Sequence, residues 1–183
     1  MSGEVETVQD EVTRAALAAA GGDRAAAARF VRATQADVRR LCVHLGDPGE
    51  ADDLVQETYL RAFRALPAFA GRSTARTWLL AIARRACADA VRERRRRPRV
   101  DPAAEVPDVP TPGPDLGEGV ALRRAVAGLD PDRREAFVLT QLVGLTYPEA
   151  AEVCGCPVGT IRSRVARARD DLVTSVREQR GSA

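Results

Sequence analysis

Residues 146–169 read TYPEAAEVCGCPVGTIRSRVARAR. Thr146 is followed three positions on by Glu149, the spacing of a capping box, in which each side chain answers the other's backbone amide. The spacing predicts a short helix ending at Val153, a turn at Cys154-Gly155-Cys156, and a longer helix opening at Pro157 and running to about residue 176. A helix of about seven residues, a three-residue turn with glycine and a longer second helix form the helix-turn-helix signature. On the second helix Ile161, Val165, Ala168 and Leu172 recur at helical spacing and make the inward stripe. The outward face carries Gly159, Thr160, Ser163, Ala166 and Arg167, flanked by Arg162 and Arg164. Small residues let the helix enter a major groove, where arginine and serine reach bases and phosphates. The competing reading is a surface helix with ordinary arginines. Cap, turn, stripe and basic face all agree against it. The paired cysteines also admit a metal or redox reading, against which packing of small residues in the turn is preferred.

Upstream, Asp130 reads as the cap of a helix over residues 130–143, with Pro131 in its first position and Gly144 as its stop. A short helix over 120–127 precedes it. Residues 98–119 hold six prolines with acids and no aromatic residue, which reads as an extended, flexible linker between two domains. Four helical patterns lie before the linker: about 11–20, 23–44, 50–66 and 73–95. The second carries Phe30, Val31, Thr34, Val38 and Leu41 inward. The third carries Val55, Tyr59, Ala62 and Leu66 inward, and the fourth Trp78, Leu79, Ile82, Ala86 and Ala90, with Ser73 or Thr74 as its cap. The expected fold is therefore all-α. Two small helical domains, 11–97 and 120–178, are flanked by a flexible tail at 1–10 and a short one at 179–183.

Charge is segregated. The net is only +2, yet residues 61–100 hold twelve arginines against Asp89 and Glu93. Such a basic stretch suits a polyanion, although charge runs are often only solvated. On the fourth helix Arg84, Arg85, Arg92 and Arg95 point away from the apolar side, with alanines between them that permit close approach to phosphates. The loop before it, Phe69-Ala70-Gly71-Arg72-Ser73, suits either a plain connector or a site that holds a base drawn from the duplex. On the third helix Asp52, Asp53, Gln56 and Glu57 form an acidic strip. Periodicity alone leaves open a solvated face or a dock for a basic protein.

Other classes are disfavoured. Cys42, Cys87, Cys154, Cys156 and the single His44 contain no C-x2-C pair, so no structural zinc or other metal is expected. The acids Asp52, Asp53 and Glu57 come with no nucleophile and no phosphate-binding glycine loop, so neither an enzyme nor a cofactor is expected. The acidic N-terminal stretch has no basic leader, and no apolar run approaches the ~18 residues of a span. A cytoplasmic protein away from membranes, with reduced thiols, is expected.

Three motifs are specific. Ala51-Asp52-Asp53-Leu54-Val55-Gln56-Glu57-Thr58 is followed by Arg61-Ala62. Arg76-Thr77-Trp78-Leu79 is followed by Ile82-Ala83-Arg84. Residues 156–164, CPVGTIRSR, are followed by Arg167-Ala168-Arg169. In this order, with a linker between the second and third, the chain resembles the extracytoplasmic-function (group 4) sigma factors of bacterial RNA polymerase, in the sigma-70 family, across nearly its whole length. The resemblance implies a transcription initiation factor. Asp52, Asp53, Gln56 and Glu57 would bind the clamp helices of the polymerase largest subunit. Phe69, Gly71, Arg72, Ser73, Arg84, Arg85 and Arg92 would recognise the −10 element and its melted strand. Thr160, Arg162, Ser163, Arg164 and Arg167 would read the −35 element in duplex DNA, and the same domain would touch the polymerase flap. The linker and composition suit a chain that is monomeric when free, and the resemblance also implies a family commonly restrained by anti-sigma factors. The sequence departs from many relatives at Arg85, where they carry Asn, and at Ala166, where they carry an aromatic residue. An autonomous helix-turn-helix regulator is the alternative; it would need its own dimer face and a palindromic site.

Overall fold

In a computed structural model, the structure describes residues 2–96 and 116–181, with side chains over 11–96 and 122–175. Every regular element among these residues is helical: α1 (Ser2–Ala20), α2 (Arg24–Leu45), α3 (Ala51–Ala65), α4 (Ala75–Arg96), α5 (Leu116–Ala127), α6 (Pro131–Phe137), α7 (Tyr147–Cys154) and α8 (Val158–Gly181). Short 3₁₀ turns lead into α3 and follow it.

α1 starts at Ser2, so the expected N-terminal tail is helical from its second residue. α5 starts at Leu116, four residues inside the expected linker, and α8 continues to Gly181, into the expected C-terminal tail. The rest of the expected linker, residues 98–115, lies outside the described residues.

Local chemistry explains the boundaries. Asp23 caps α2, its carboxylate accepting from the amides of Ala25 at 2.8 Å and Ala26 at 3.0 Å. Asp130 caps α6 in the same way ahead of Pro131, as expected. The capping box of α7 is complete: Thr146 Oγ1 accepts from the Glu149 amide, and Glu149 accepts from the Thr146 amide at 2.8 Å. Gly155 ends α7 with φ 66° and ψ 39°, a left-handed conformation that glycine adopts without steric penalty.

α6 was expected to run unbroken to Val143. Instead a π-helical turn, Val138–Leu142, follows it. Thr140 Oγ1 donates to the Ala136 carbonyl four residues back at 2.8 Å, a bond that competes with the α-helical ladder, and the Val143 amide reaches back to Val138.

The core-facing stripes of α3 and α4 are rotated from those read in the sequence. In α3 the buried residues are Ala51, Leu54, Thr58 and Ala62, with Val55 and Tyr59 half-buried beside them. In α4 they are Ala75, Thr77, Leu79, Leu80, Ala83, Ala86 and Cys87, while Trp78 and Ile82 are half-buried. For α4 the cause is that it packs against α1, α2 and α3 and also against α7, so it is enclosed on more than one side. Buried polar groups are paired: Thr34 Oγ1 bonds the Phe30 carbonyl and the Tyr59 hydroxyl, both at 2.8 Å.

One apolar core runs through both halves, from Phe30, Leu41 and Leu79 to Leu139, Ile161 and Val165. Polar ties cross the same junction. Arg40 Nη1 donates to the Leu142 carbonyl at 3.0 Å, and Arg76 Nη2 donates to the Val143 carbonyl at 2.7 Å. Both acceptors lie at the end of the π turn, where helix carbonyls lack partners of their own. Arg76 is held in turn by Asp37, Nε to Oδ2 at 2.8 Å.

Candidate nucleic-acid and partner interfaces

The helix-turn-helix is α7, the Gly155 turn and α8. Ile161, Val165 and Ala168 are buried and set the rotation of α8, with Leu172 half-buried after them. That rotation exposes Arg162, Ser163, Ala166 and Arg167, and leaves Thr160 half-buried. Arg162 and Arg167 have no partner among the described residues. Ser163 Oγ donates to the Thr160 carbonyl at 2.9 Å. Arg164 is different: its guanidinium pairs with Asp132 of α6 and lies 4.0 Å from Cys156 Sγ, with the side chain one quarter exposed. Arg169 donates to Gln141 Oε1 of the π turn at 2.8 Å, and Arg133 of α6 pairs with Asp171 at 2.7 Å, so α8 is tied both to α6 and to the turn after it.

Cys154 packs into the junction. Burial, and secondly the nearby Glu135 carboxylate, push its thiol up to about 12, so it stays protonated at neutral pH. Among the described residues no group of three or more His, Cys, Asp and Glu is placed to hold a metal.

On α4 the structure separates the arginines. Arg85 is exposed and has no partner among the described residues. Arg92 is exposed but pairs with Asp89. Arg84 faces the C-terminal half and forms a two-pronged pair with Glu135 of α6, Nη2 to Oε2 at 3.1 Å. The Glu135 hydrogen bonds raise the Arg84 pKa beyond its ordinary value. In the loop before α4 the Phe69 ring lies on Trp78, centroids 4.9 Å apart, which leaves Gly71 and Arg72 exposed at the tip and Ser73 half-buried. Gly71 has φ 65°.

On α3, Asp52 and Asp53 stand exposed in the first turn, and Asp52 pairs with Arg39 at 3.2 Å. Gln56 is exposed beyond them. Glu57 belongs to a small network: Arg61 bonds Glu57 at 2.7 Å and Asp89 of α4 at 2.6 Å. Those bonds from Arg61, then Arg92, hold the Asp89 carboxyl below its ordinary value.

The sequence reading missed what comes next on this face. Leu60 and Phe63 are 47% and 39% exposed, and they continue the Asp53–Gln56 line at helical spacing. The strip is therefore acidic at its start and apolar at its end. The signal was available, since Leu60 and Phe63 fall four and seven residues after Gln56.

Comparison with known proteins matches both halves. Residues 30–97 fit Sigma-70 region 2, and residues 119–172 fit Sigma-70, region 4. The ECF RNA polymerase sigma factor SigC of Mycobacterium tuberculosis is 53% identical over 168 residues, 90% of each chain. The ECF RNA polymerase sigma factor EcfG of Rhodopseudomonas palustris is 40% identical over 129 residues, 69% of this chain and 71% of that one. Among solved structures, CnrH in complex with the cytosolic domain of CnrY aligns with a TM-score of 0.74 at 26% identity, covering 92% of this chain and 98% of that one. The sigma factor RpoE of Bartonella quintana, in complex with the anti-sigma factor NepR, aligns at 0.72 with 29% identity, covering 81% and 95%.

Proposed function

The chain belongs to the extracytoplasmic-function sigma factors of the sigma-70 family, and from that premise we propose how its faces divide the work of promoter-directed initiation. As such a factor it binds RNA polymerase and promoter DNA and is a transcription initiation factor. The helices of residues 11–97 serve as domain 2 and those of 120–178 as domain 4. Because its partner is the polymerase, its place of work is the cytoplasm. No helix among the described residues is long and apolar enough to cross a membrane.

The observation that carries the division is the strip on α3. Its acids draw a basic partner surface, while exposed Leu60 and Phe63 offer apolar area that only a docked protein would cover. The clamp helices of the polymerase are the proposed partner there. The tip Gly71-Arg72-Ser73 and the exposed Arg85 and Arg92 of α4 take the −10 element, with Arg84 added once Glu135 lets go. On α8, Arg162, Ser163 and Arg167 read the −35 element; Thr160 and Arg164 sit at the margin, toward phosphates and the flap. Phe69 supports the loop through Trp78, with its ring turned to that partner.

A second reading concerns state. Asp132 and Glu135 stand one turn apart on α6, and each occupies an arginine assigned to DNA, Arg164 and Arg84. This packing suits the polymerase-free form. The two solved relatives named above each carry a bound partner protein, and an anti-sigma factor is a fitting partner for such a form here.

Run-off transcription by core polymerase on a genomic promoter library, with and without the chain, tests the function. Transcripts and footprints that need both chain and core are expected. Protection of a palindromic site by the chain alone would favour the autonomous regulator.

A further inference from the structure

The amide of Ala75, first in α4, needs a partner outside its own helix, because first-turn amides have none within it. Ala75 is fully buried, so that partner is not bulk water. Thr74 is occupied elsewhere: its hydroxyl accepts from the Thr77 amide at 3.1 Å and its carbonyl from Trp78 at 3.0 Å. The Ala75 amide instead donates to Thr13 Oγ1 of α1 at 3.1 Å, across 62 residues of sequence. Val12 and Ala16, both buried, fix the rotation of α1 that aims this hydroxyl.

The loop at residues 69–74 is thus anchored at both ends. At one end the Phe69 ring lies on Trp78 and its amide bonds the Leu66 carbonyl at 3.0 Å. At the other, Thr13 holds the residue that immediately follows Thr74. Between the anchors only the small exposed tip around Gly71 and Arg72 is open. Thr13 lies outside residues 30–97, the span matched to Sigma-70 region 2.

We propose that Thr13 is a positioning residue for capture of the melted −10 strand, acting through Ala75 to hold the loop in its receptive shape. This rests on the reading of the loop as the −10 strand site. Losing the hydroxyl leaves a buried amide unpaired, which loosens the first turn of α4 and the loop attached to it. The α3 docking strip is on another helix and is unaffected.

The test uses holoenzyme carrying Thr13→Val, which keeps the shape and removes the acceptor, and Thr13→Ser, which keeps the acceptor. The probe is a fluorescent single-stranded oligonucleotide of the non-template −10 sequence, from a promoter that gives a run-off transcript. Thr13→Val is expected to weaken oligonucleotide binding about tenfold, with core affinity unchanged, and Thr13→Ser to restore it. Oligonucleotide affinity in Thr13→Val equal to wild type, while Arg72→Ala weakens it, overturns the role of Thr13 alone. Equal loss of core affinity and oligonucleotide affinity in Thr13→Val overturns it too, since that marks general unfolding. Failure of both Thr13→Val and Arg72→Ala to weaken binding overturns the loop reading as well.

Discussion

Glu135 of α6 grips Arg84 of α4 with both carboxylate oxygens, joining the two halves of the chain through a pair of which Glu135 is only 14% exposed. Hydrogen bonds to charged groups contribute roughly 1.5–3 kcal/mol when sheltered. Glu135→Gln should therefore shift the free chain toward a more open form. Small-angle scattering would read this as a larger radius of gyration, and Arg84→Gln should give the same change. The double variant should open no further than either single one, as a shared contact requires. Unchanged scattering in both single variants would show that the apolar junction alone sets the closure.

The α3 strip predicts a graded loss of polymerase binding. Asp53→Arg reverses charge at an exposed acid, and Leu60→Asp places charge in the apolar end. Each should weaken holoenzyme assembly at least tenfold, about 1.4 kcal/mol or more, and the pair should abolish it. Glu57→Arg is a less clean probe because it also breaks the bond to Arg61. Assembly with wild-type affinity in the Asp53→Arg, Leu60→Asp double variant would move the docking site elsewhere.

These faces were unequally visible in the sequence. Caps and stripes set by neighbours in the chain were legible, as at Asp130, at Thr146 with Glu149, and along Ile161, Val165 and Ala168. Features set by distant partners were not. The junction between Glu135 and Arg84, and the bonds of Arg40 and Arg76 to the π turn, link residues far apart in sequence and leave no periodic trace. The rotated stripe of α4 has the same origin: its enclosure by several helices widens its buried side beyond one apolar row. The π turn leaves no pattern in the sequence either, since Thr34 and Thr58 make the same hydroxyl bond four residues back as Thr140 within unbroken α-helices.

The Asp89 network predicts a pH signature. The folded-state carboxyl of Asp89 titrates below its ordinary value of 3.8, because of Arg61 first and Arg92 second. A depressed carboxylate stabilises the fold fully above its unfolded value and loses that contribution as pH falls through the folded one. Asp89→Asn should thus unfold at lower denaturant than wild type at neutral pH, by a modest margin given the exposure of the groups. The gap should close as pH drops below about 3.8. A gap that stays constant to the acid limit would assign the loss to packing instead of charge.

The last prediction separates base reading from phosphate contact on α8. Arg167 is exposed without a partner among the described residues, so its guanidinium is free to reach a guanine edge with two hydrogen bonds, worth roughly 1–3 kcal/mol of discrimination. Arg167→Ala should relax preference at one or two positions of the −35 element. Arg164 is bound by Asp132 at the margin of the face, and that bond must break before it can serve a phosphate. Arg164→Ala should weaken all sequences about equally and lower the salt slope by about one counterion. Asp132→Asn should do the reverse, strengthening binding at low salt and steepening the slope, and it should have no effect once Arg164 is gone. The measurement is binding of holoenzyme to single-substituted −35 duplexes at several salt concentrations. An Arg167→Ala protein that keeps the full wild-type order of preference would remove that residue from base reading. An Asp132→Asn effect that persists beside Arg164→Ala would show that the acid acts on DNA by its own repulsion and not by occupying Arg164.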